Sequence, residues 1–162
     1  MKLNVSGNIN TYYVQTLCMI FFPGEKFSDR AEEDPEAVTP ELNLSLEETE
    51  EGVKVTAELS LEEKYASSEK VYPKREDITY DRLKKIAVGD AVLSVCSEVI
   101  GYRPSWGMLV GVRPSKVATE MFASGMSKTR VKKALVSDYF VIPKKAALAT
   151  EVALNEAEFV ER

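Results

Sequence analysis

The residues best suited to chemistry lie in one short stretch, SWGMLVGVRPSKVATEMF, which runs from Ser105 to Phe122. Pro114 fixes φ at about −65° and suits the first position of a helix. Arg113, Ser115 and Lys116 therefore stand at a predicted helix start, where backbone N–H groups attract anions. Arg113 can also bind a carboxylate or phosphate through two parallel hydrogen bonds. The pattern indicates either an anion-binding or interdomain contact, or a plain helix start whose cations pair with nearby carboxylates.

The same stretch contains the chain's single tryptophan, Trp106, and two glycines, Gly107 and Gly111. Glycine allows a backbone to approach a ligand or another segment closely. The alternative is that Trp106 packs in a core and the glycines make turns. The Gly-x-x-x-x-Gly-Lys-Ser/Thr string of a phosphate-binding loop is absent. We therefore interpret these residues, with Pro114, as a structural motif beside the cations.

The chain has no histidine and two cysteines, Cys18 and Cys96. This composition excludes the usual zinc ligand sets, the three or four thiolates of an iron–sulfur cluster, and catalytic triads that use histidine. No zinc or iron–sulfur site and no histidine-dependent catalytic residue is therefore expected, and we assign no catalytic residue, metal site or cofactor to the chain. Because each cysteine lies in an apolar helical pattern far from the other, we predict buried thiols without a disulfide.

The N-terminal half has the pattern of a small sheet covered by a helix. A short alternating run, KLNVSG, predicts a strand, and a helical pattern then extends to Phe22. Strict alternation from Leu42 to Leu46 and from Val53 to Leu61 predicts a β-hairpin with one buried face. The run YASSEKVYPKRED is interpreted as a polar connection, with extension of the second hairpin strand into it as the alternative. The fold class is α+β, with a small antiparallel or mixed sheet and a β-α-β-β start.

The remainder is predicted to be mainly helical. A long buried helix runs from about Ile78 to Ile100 and stops at Gly101. Further helices begin after the N-cap Ser127 and at Pro143. The predicted apolar face of the last helix comprises Leu148, Ala149 and Val152. The predicted domains are an α+β subdomain over residues 1–75 and a helical subdomain over residues 76–162.

Charge is unevenly distributed within a formal net charge of −5. The segment from Glu25 to Glu51, much of it a predicted exposed loop (Glu25 to Thr39), holds eleven acidic and two basic residues. The segment from Arg103 to Lys145 holds nine basic and two acidic residues. These segments are either two solvated faces of opposite sign, or a basic helical part that faces an anionic ligand or an acidic partner domain.

The sequence predicts a cytoplasmic protein that does not enter membranes. The N-terminus begins with a single lysine and continues as strand and turn, which is not the pattern of a signal peptide. The longest apolar run, VQTLCMIFF, is far shorter than the roughly 20 residues that span a bilayer.

Three segments carry a resemblance to a known family. GNINTYYVQTLCMIFFPGEKF, SWGMLVGVRPSKVATEMFASGMS and DYFVIPKKAALATEVALNEAEF resemble HemZ-type coproporphyrinogen dehydrogenases, which are radical S-adenosylmethionine proteins. The resemblance is strongest from Tyr102 to Phe159. Ser105 stands where that family usually has proline, and Val110 where it usually has threonine.

The resemblance implies an N-terminal accessory domain, followed after Arg162 by a catalytic radical-SAM domain. That domain would use a 4Fe-4S cluster and S-adenosylmethionine to convert coproporphyrinogen III to protoporphyrinogen IX in haem synthesis. The family's Cys-x-x-x-Cys-x-x-Cys motif is absent from this chain. The implied partners are the catalytic domain and the carboxylates of the tetrapyrrole substrate.

Two other functions remain as alternatives, an RNA-binding module and a protein-interaction module. The acidic total and the lack of a lysine-flanked Gly-x-x-Gly loop disfavour nucleic-acid binding.

Overall fold

The computed structural model describes residues 1–27, 39–109 and 113–160. Most of the predicted acidic loop, together with Val110 and Gly111, lies outside the described residues. The described chain is an α+β protein with a four-stranded mixed sheet and a helical C-terminal part, as predicted. Its elements are, in order, β1 (Lys2–Ser6), α1 (Thr11–Phe21), β2 (Glu41–Glu48), β3 (Gly52–Leu61), β4 (Lys64–Pro73), α2 (Tyr80–Ile100), α3 (Pro114–Ala123), α4 (Lys128–Ser137) and α5 (Pro143–Val160).

The sheet has the strand order β1-β2-β3-β4. Strand β1 lies parallel to β2, and the other two pairings are antiparallel. The predicted hairpin is confirmed, because Leu42 lies opposite Leu59 and Leu44 opposite Ala57. All four side chains are buried on the same face. The alternation in the sequence thus decides which face of the sheet is covered.

Strand β4 corrects the interpretation of its segment as a polar connection. Only Ala66 and Tyr72 are buried within it, so its sequence lacks a clear apolar alternation. The turn that leads into it places Glu62 at φ 55°, a conformation that usually requires glycine or asparagine. An edge strand pairs with only one neighbouring strand and commonly carries charged residues. The sequence of β4 therefore shows no clear strand pattern.

Helix α2 packs against β3, β4 and α1. Thr79 caps its N-terminus, and Gly101 ends it at φ 77° in the left-handed conformation. The predicted helix and its predicted end are both confirmed. Cys96 of α2 and Cys18 of α1 are free, buried thiols, as predicted. A hydrogen bond with Cys18 and burial both raise the pKa of Cys96, which keeps this thiol protonated and unreactive.

The chain divides into two compact units, an N-terminal unit (Met1–Tyr102) and a C-terminal unit (Arg103–Arg162). The sequence placed this division at residue 75 instead, with the long helix in the second part. The structure groups α2 with the sheet because the apolar side chains of that helix are buried against β3, β4 and α1.

The core of the C-terminal unit lies where α3, α4 and α5 meet, and it includes Val131, Leu135 and Val141. Helix α5 contributes small side chains to this core, namely Ala146, Ala149 and Ala153. The predicted apolar face of α5 is therefore wrong in two of its three residues, since Leu148 is 50% and Val152 36% exposed. No described helix is long and apolar enough to cross a bilayer.

A polar contact fastens α2 to the sheet. The Tyr72 hydroxyl of β4 donates a hydrogen bond of 2.5 Å to Oδ2 of Asp90 on α2. The Lys70 ammonium lies 3.5 Å from the same oxygen. Burial raises the pKa of Tyr72, and the hydrogen bond and negative charge of Asp90 raise it further. The phenol thus stays protonated in the folded protein at pH values where a free tyrosine ionises.

We expect Tyr72→Phe to lower the free energy of unfolding by about 1.5 kcal/mol near neutral pH, because a hydrogen bond to a charged group is lost. The folded pKa lies above the unfolded value of about 10, so this tyrosine's contribution is present below about pH 10 and is lost as pH rises beyond it. Tyr72→Phe should therefore flatten the decline of stability above that pH. Denaturant unfolding from pH 7 to 11 measures both effects. Tyr12→Phe, at a position 78% exposed, is the control and should change neither.

Candidate functional site

Helix α3 begins at Pro114, as predicted, with Arg113 as its N-cap residue. Among the described residues, no side chain caps this end of the helix. The backbone N–H of Lys116 donates to the carbonyl of Arg113 at 3.0 Å, which closes the first turn. This helix start therefore presents partial positive charge beside two cationic side chains.

The Arg113 side chain reaches α5. One of its Nη atoms lies 3.8 Å from Oε1 of Glu156, while 68% of the side chain remains exposed. A single exposed contact of this length contributes little to stability. Arg113 thus pairs with a nearby carboxylate, which was one of the two alternatives. Most N–H donors of its guanidinium remain free to bind a further anion.

Ser115 and Lys116 differ in accessibility. Ser115 is 6% exposed, and its carbonyl accepts a hydrogen bond of 2.8 Å from the Thr119 hydroxyl. Lys116 is exposed and makes no ion pair with another described residue. The structure therefore presents Arg113 and Lys116 as surface cations, while Ser115 anchors the first turn of α3 in the unit.

Trp106 is partly buried and packs against the core of the C-terminal unit. The Lys145 ammonium, from α5, lies 5.6 Å from the centre of the indole ring. This distance allows a cation–π interaction. Trp106 therefore packs against the core, which agrees with the alternative that the sequence offered for it. Its ring also contacts the cation of Lys145.

Gly107 is required by a close approach of two backbones. Its φ is 55°, and a Cβ atom there would lie 2.2 Å from the carbonyl oxygen of Tyr139. Two hydrogen bonds join these segments, from the Met108 N–H to the Tyr139 carbonyl at 2.8 Å and from the Ile142 N–H to the Ser105 carbonyl at 3.0 Å. The tryptophan–glycine pair thus fastens the loop before α3 to the connection between α4 and α5.

The described groups of this site are of the chemical types that can bind anions or acidic protein surfaces. They are guanidinium, ammonium and backbone N–H donors, supported by an indole ring. The C-terminal unit, which carries this site, has a net positive charge, and the N-terminal unit has a net negative charge. Residues 103–162 hold 10 basic and 6 acidic residues, whereas residues 1–102 hold 11 basic and 20 acidic residues.

Sequence reasoning missed the two α5 residues that contact the motif, Lys145 and Glu156. Their spacing of eleven residues, close to three helical turns, places both on one side of α5. This periodicity could have associated them. It was overlooked because Leu148 and Val152, which lie between them, were assigned to the core.

The fold and site together define a small α+β protein with a cation-bearing helical unit. Its sequence is similar to that of an oxygen-independent coproporphyrinogen-III oxidase-like protein, HemZ, from Bacillus subtilis, with 25% identity over 142 residues. The match covers 86% of this chain and 27% of HemZ, so the chain spans about a quarter of that relative's length. No protein-family model and no solved structure matches the chain. The chain is thus distantly similar to one part of a larger coproporphyrinogen-oxidase-like protein.

We expect Gly107→Ala to destabilise the C-terminal unit by at least ~2 kcal/mol more than Gly125→Ala. Both glycines have positive φ, but a Cβ at Gly125 meets no atom within 4 Å. The left-handed conformation alone costs an alanine about 1–2 kcal/mol, and the clash at Gly107 adds backbone strain. Thermal unfolding of the two variants measures the difference. Equal stabilities would show that the loop tolerates a side chain at Gly107.

Proposed function

We propose that the chain is a non-catalytic N-terminal accessory domain of a HemZ-type radical S-adenosylmethionine oxidoreductase. The complete protein would oxidatively decarboxylate coproporphyrinogen III to protoporphyrinogen IX in haem synthesis. The observation that carries this proposal is the similarity of 86% of the chain to a 27% portion of a coproporphyrinogen-III oxidase-like protein. The cations of α3 and the sequence motifs around them support it.

The residues of this chain do not fit the cofactors of the proposed parent. A 4Fe-4S cluster of the radical S-adenosylmethionine type needs three thiolates, and this chain has Cys18 and Cys96 alone. Both thiols are fully buried on α1 and α2. We therefore assign the cluster and S-adenosylmethionine to the remainder of the parent protein and derive no chemical step in this chain.

The proposed role of this chain is to bind carboxylates. Arg113 and Lys116 are exposed at the α3 N-terminus, and the buried Ser115 holds the turn between them in place. Coproporphyrinogen III carries propionate carboxylates, and an acidic surface of the catalytic domain carries the same group on Asp or Glu. The two ligands have the same chemistry, so kinetic and docking measurements must separate them.

In the full-length protein, we expect Arg113→Ala either to raise KM for coproporphyrinogen III about tenfold at unchanged kcat, or to weaken docking of the two domains. A tenfold change corresponds to about 1.4 kcal/mol, the magnitude of one charged hydrogen bond. A higher KM alone assigns Arg113 to the substrate, because uniform binding energy is lost. A lower unfolding temperature with unchanged KM assigns it to the catalytic domain.

Arg130→Ala supplies the control for this measurement. Arg130 is an exposed cation of α4 in the same unit and lies outside the α3 site. It should leave KM and the unfolding temperature unchanged. If Arg113→Ala also changed neither quantity, the assignment of Arg113 would be wrong.

A further inference from the structure

Helix α5 carries a line of four residues that we name the α5 stripe: Lys145, Leu148, Val152 and Glu156. Their spacings of three, four and four residues place them on one side of the helix, along about 16 Å. Leu148 is 50% and Val152 36% exposed. On the adjacent side, the helix buries alanines. The helix thus exposes its larger apolar side chains and buries its smaller ones, the reverse of what packing within one unit favours.

Both ends of the α5 stripe contact the motif before α3. Lys145 lies over the ring of Trp106 at 5.6 Å, and Glu156 lies 3.8 Å from Arg113. The stripe therefore has an apolar centre, with tryptophan at one end and arginine at the other. An apolar centre within a polar rim is the usual composition of a protein–protein interface, and tryptophan and arginine supply much of the binding energy in such interfaces.

We propose that the α5 stripe is the docking surface for the remainder of the same polypeptide, the catalytic domain, which contacts it through an apolar patch with an acidic rim. This proposal rests on the proposed function. The relative's length indicates which partner covers the stripe. The chain matches only 27% of HemZ, so most of a protein of that length would be available to contact this surface. The cations at the two ends of the stripe, Lys144 and Lys145 at one end and Arg113 at the other, supply the charge that an acidic rim complements. Of the acidic residues on α5, Glu151 is paired with Lys128 and Glu156 lies beside Arg113.

A second copy of this chain fits the surface less well. A symmetric dimer would place the same patch of both copies face to face. Both ends of the stripe carry cations, Lys144 and Lys145 at one end and Arg113 at the other. Whichever way the two helices ran, a cation-bearing end of one copy would therefore approach a cation-bearing end of the other. Like charges placed opposite each other oppose association, whereas an acidic rim attracts the same cations.

Thiol labelling of the full-length protein tests the proposal. Leu148→Cys places a thiol in the stripe, and Val71→Cys places one on β4 at a position 46% exposed, against 50% for Leu148. Both natural cysteines of the chain are 0% exposed and label slowly. We expect the thiol at position 148 to react with maleimide at least tenfold more slowly than the thiol at position 71, as measured by peptide mass spectrometry. Equal rates would overturn the proposal.

A second variant tests the same surface without labelling. Leu148→Asp combined with Val152→Asp should raise the rate of limited proteolysis between this chain and the catalytic domain at least tenfold. The pair Val71→Asp and Tyr65→Asp, on the exposed side chains of β4, is the control and should not raise it. An unchanged rate in the α5 variant would count against docking. Sedimentation measurements supply a further test. If the unsubstituted protein sediments as a dimer and the α5 variant as a monomer, the surface binds a second copy of the chain and the proposal is wrong.

Failure of the docking surface and failure of the proposed function give different results. If the unsubstituted full-length protein does not convert coproporphyrinogen III, while the thiol of the Leu148→Cys variant is protected from maleimide, the docking surface is supported and the assigned reaction is wrong. If the protein converts the substrate while that thiol labels freely, the reaction stands and the docking surface falls.

Discussion

Helix α5 packs against α3 and α4 through Ala146, Ala149 and Ala153, each at most 3% exposed. Such small side chains let helix axes approach closely and leave no room for leucine or valine in the contact. This packing has two consequences. It turns Leu148 and Val152 outward, and it brings the far end of α5 close enough for Glu156 to meet Arg113. The surface chemistry of the C-terminal unit follows from this contact.

The close approach of Gly107 to Tyr139 serves the same arrangement at the other end of α5. It joins the loop before α3 to the α4–α5 connection, and in doing so it places Trp106 against the core and beneath Lys145. The tryptophan–glycine segment is therefore structural, and the arginine–proline–serine–lysine segment that follows is exposed in part. The first half of the motif, Trp106 and Gly107, thus stabilises the fold. The second half exposes the cations Arg113 and Lys116 at the surface.

Local signals predicted the ends of helices well. Pro114, Ser127 and Pro143 stand where the sequence placed helix starts, because capping depends on residues within a single turn. The buried face of the hairpin also followed from alternation. These features are determined by neighbours in sequence, so a single sequence contains the information.

The features that sequence reasoning missed depend on distant partners. Strand β4 forms because its backbone hydrogen-bonds to the edge of β3, although its own residues show little apolar alternation. The outward orientation of Leu148 depends on how closely three helices pack, which no window of α5 alone reveals. The grouping of α2 with the sheet depends on the surface that the sheet presents. Arg113 and Lys116 were predicted as site residues. The contact of Arg113 with Glu156 depends on the tertiary structure, because the spacing along α5 shows only that Lys145 and Glu156 share one side of that helix.

We propose that this chain assists a radical enzyme without supplying its chemistry. The most direct measurement compares the full-length protein with a variant that lacks residues 1–162, and follows both cleavage of S-adenosylmethionine and conversion of coproporphyrinogen III. We expect the shortened protein to retain its cluster and still cleave S-adenosylmethionine, while its conversion of coproporphyrinogen III falls. Loss of the cluster on removal of these residues, or conversion at the full rate without them, would contradict this role.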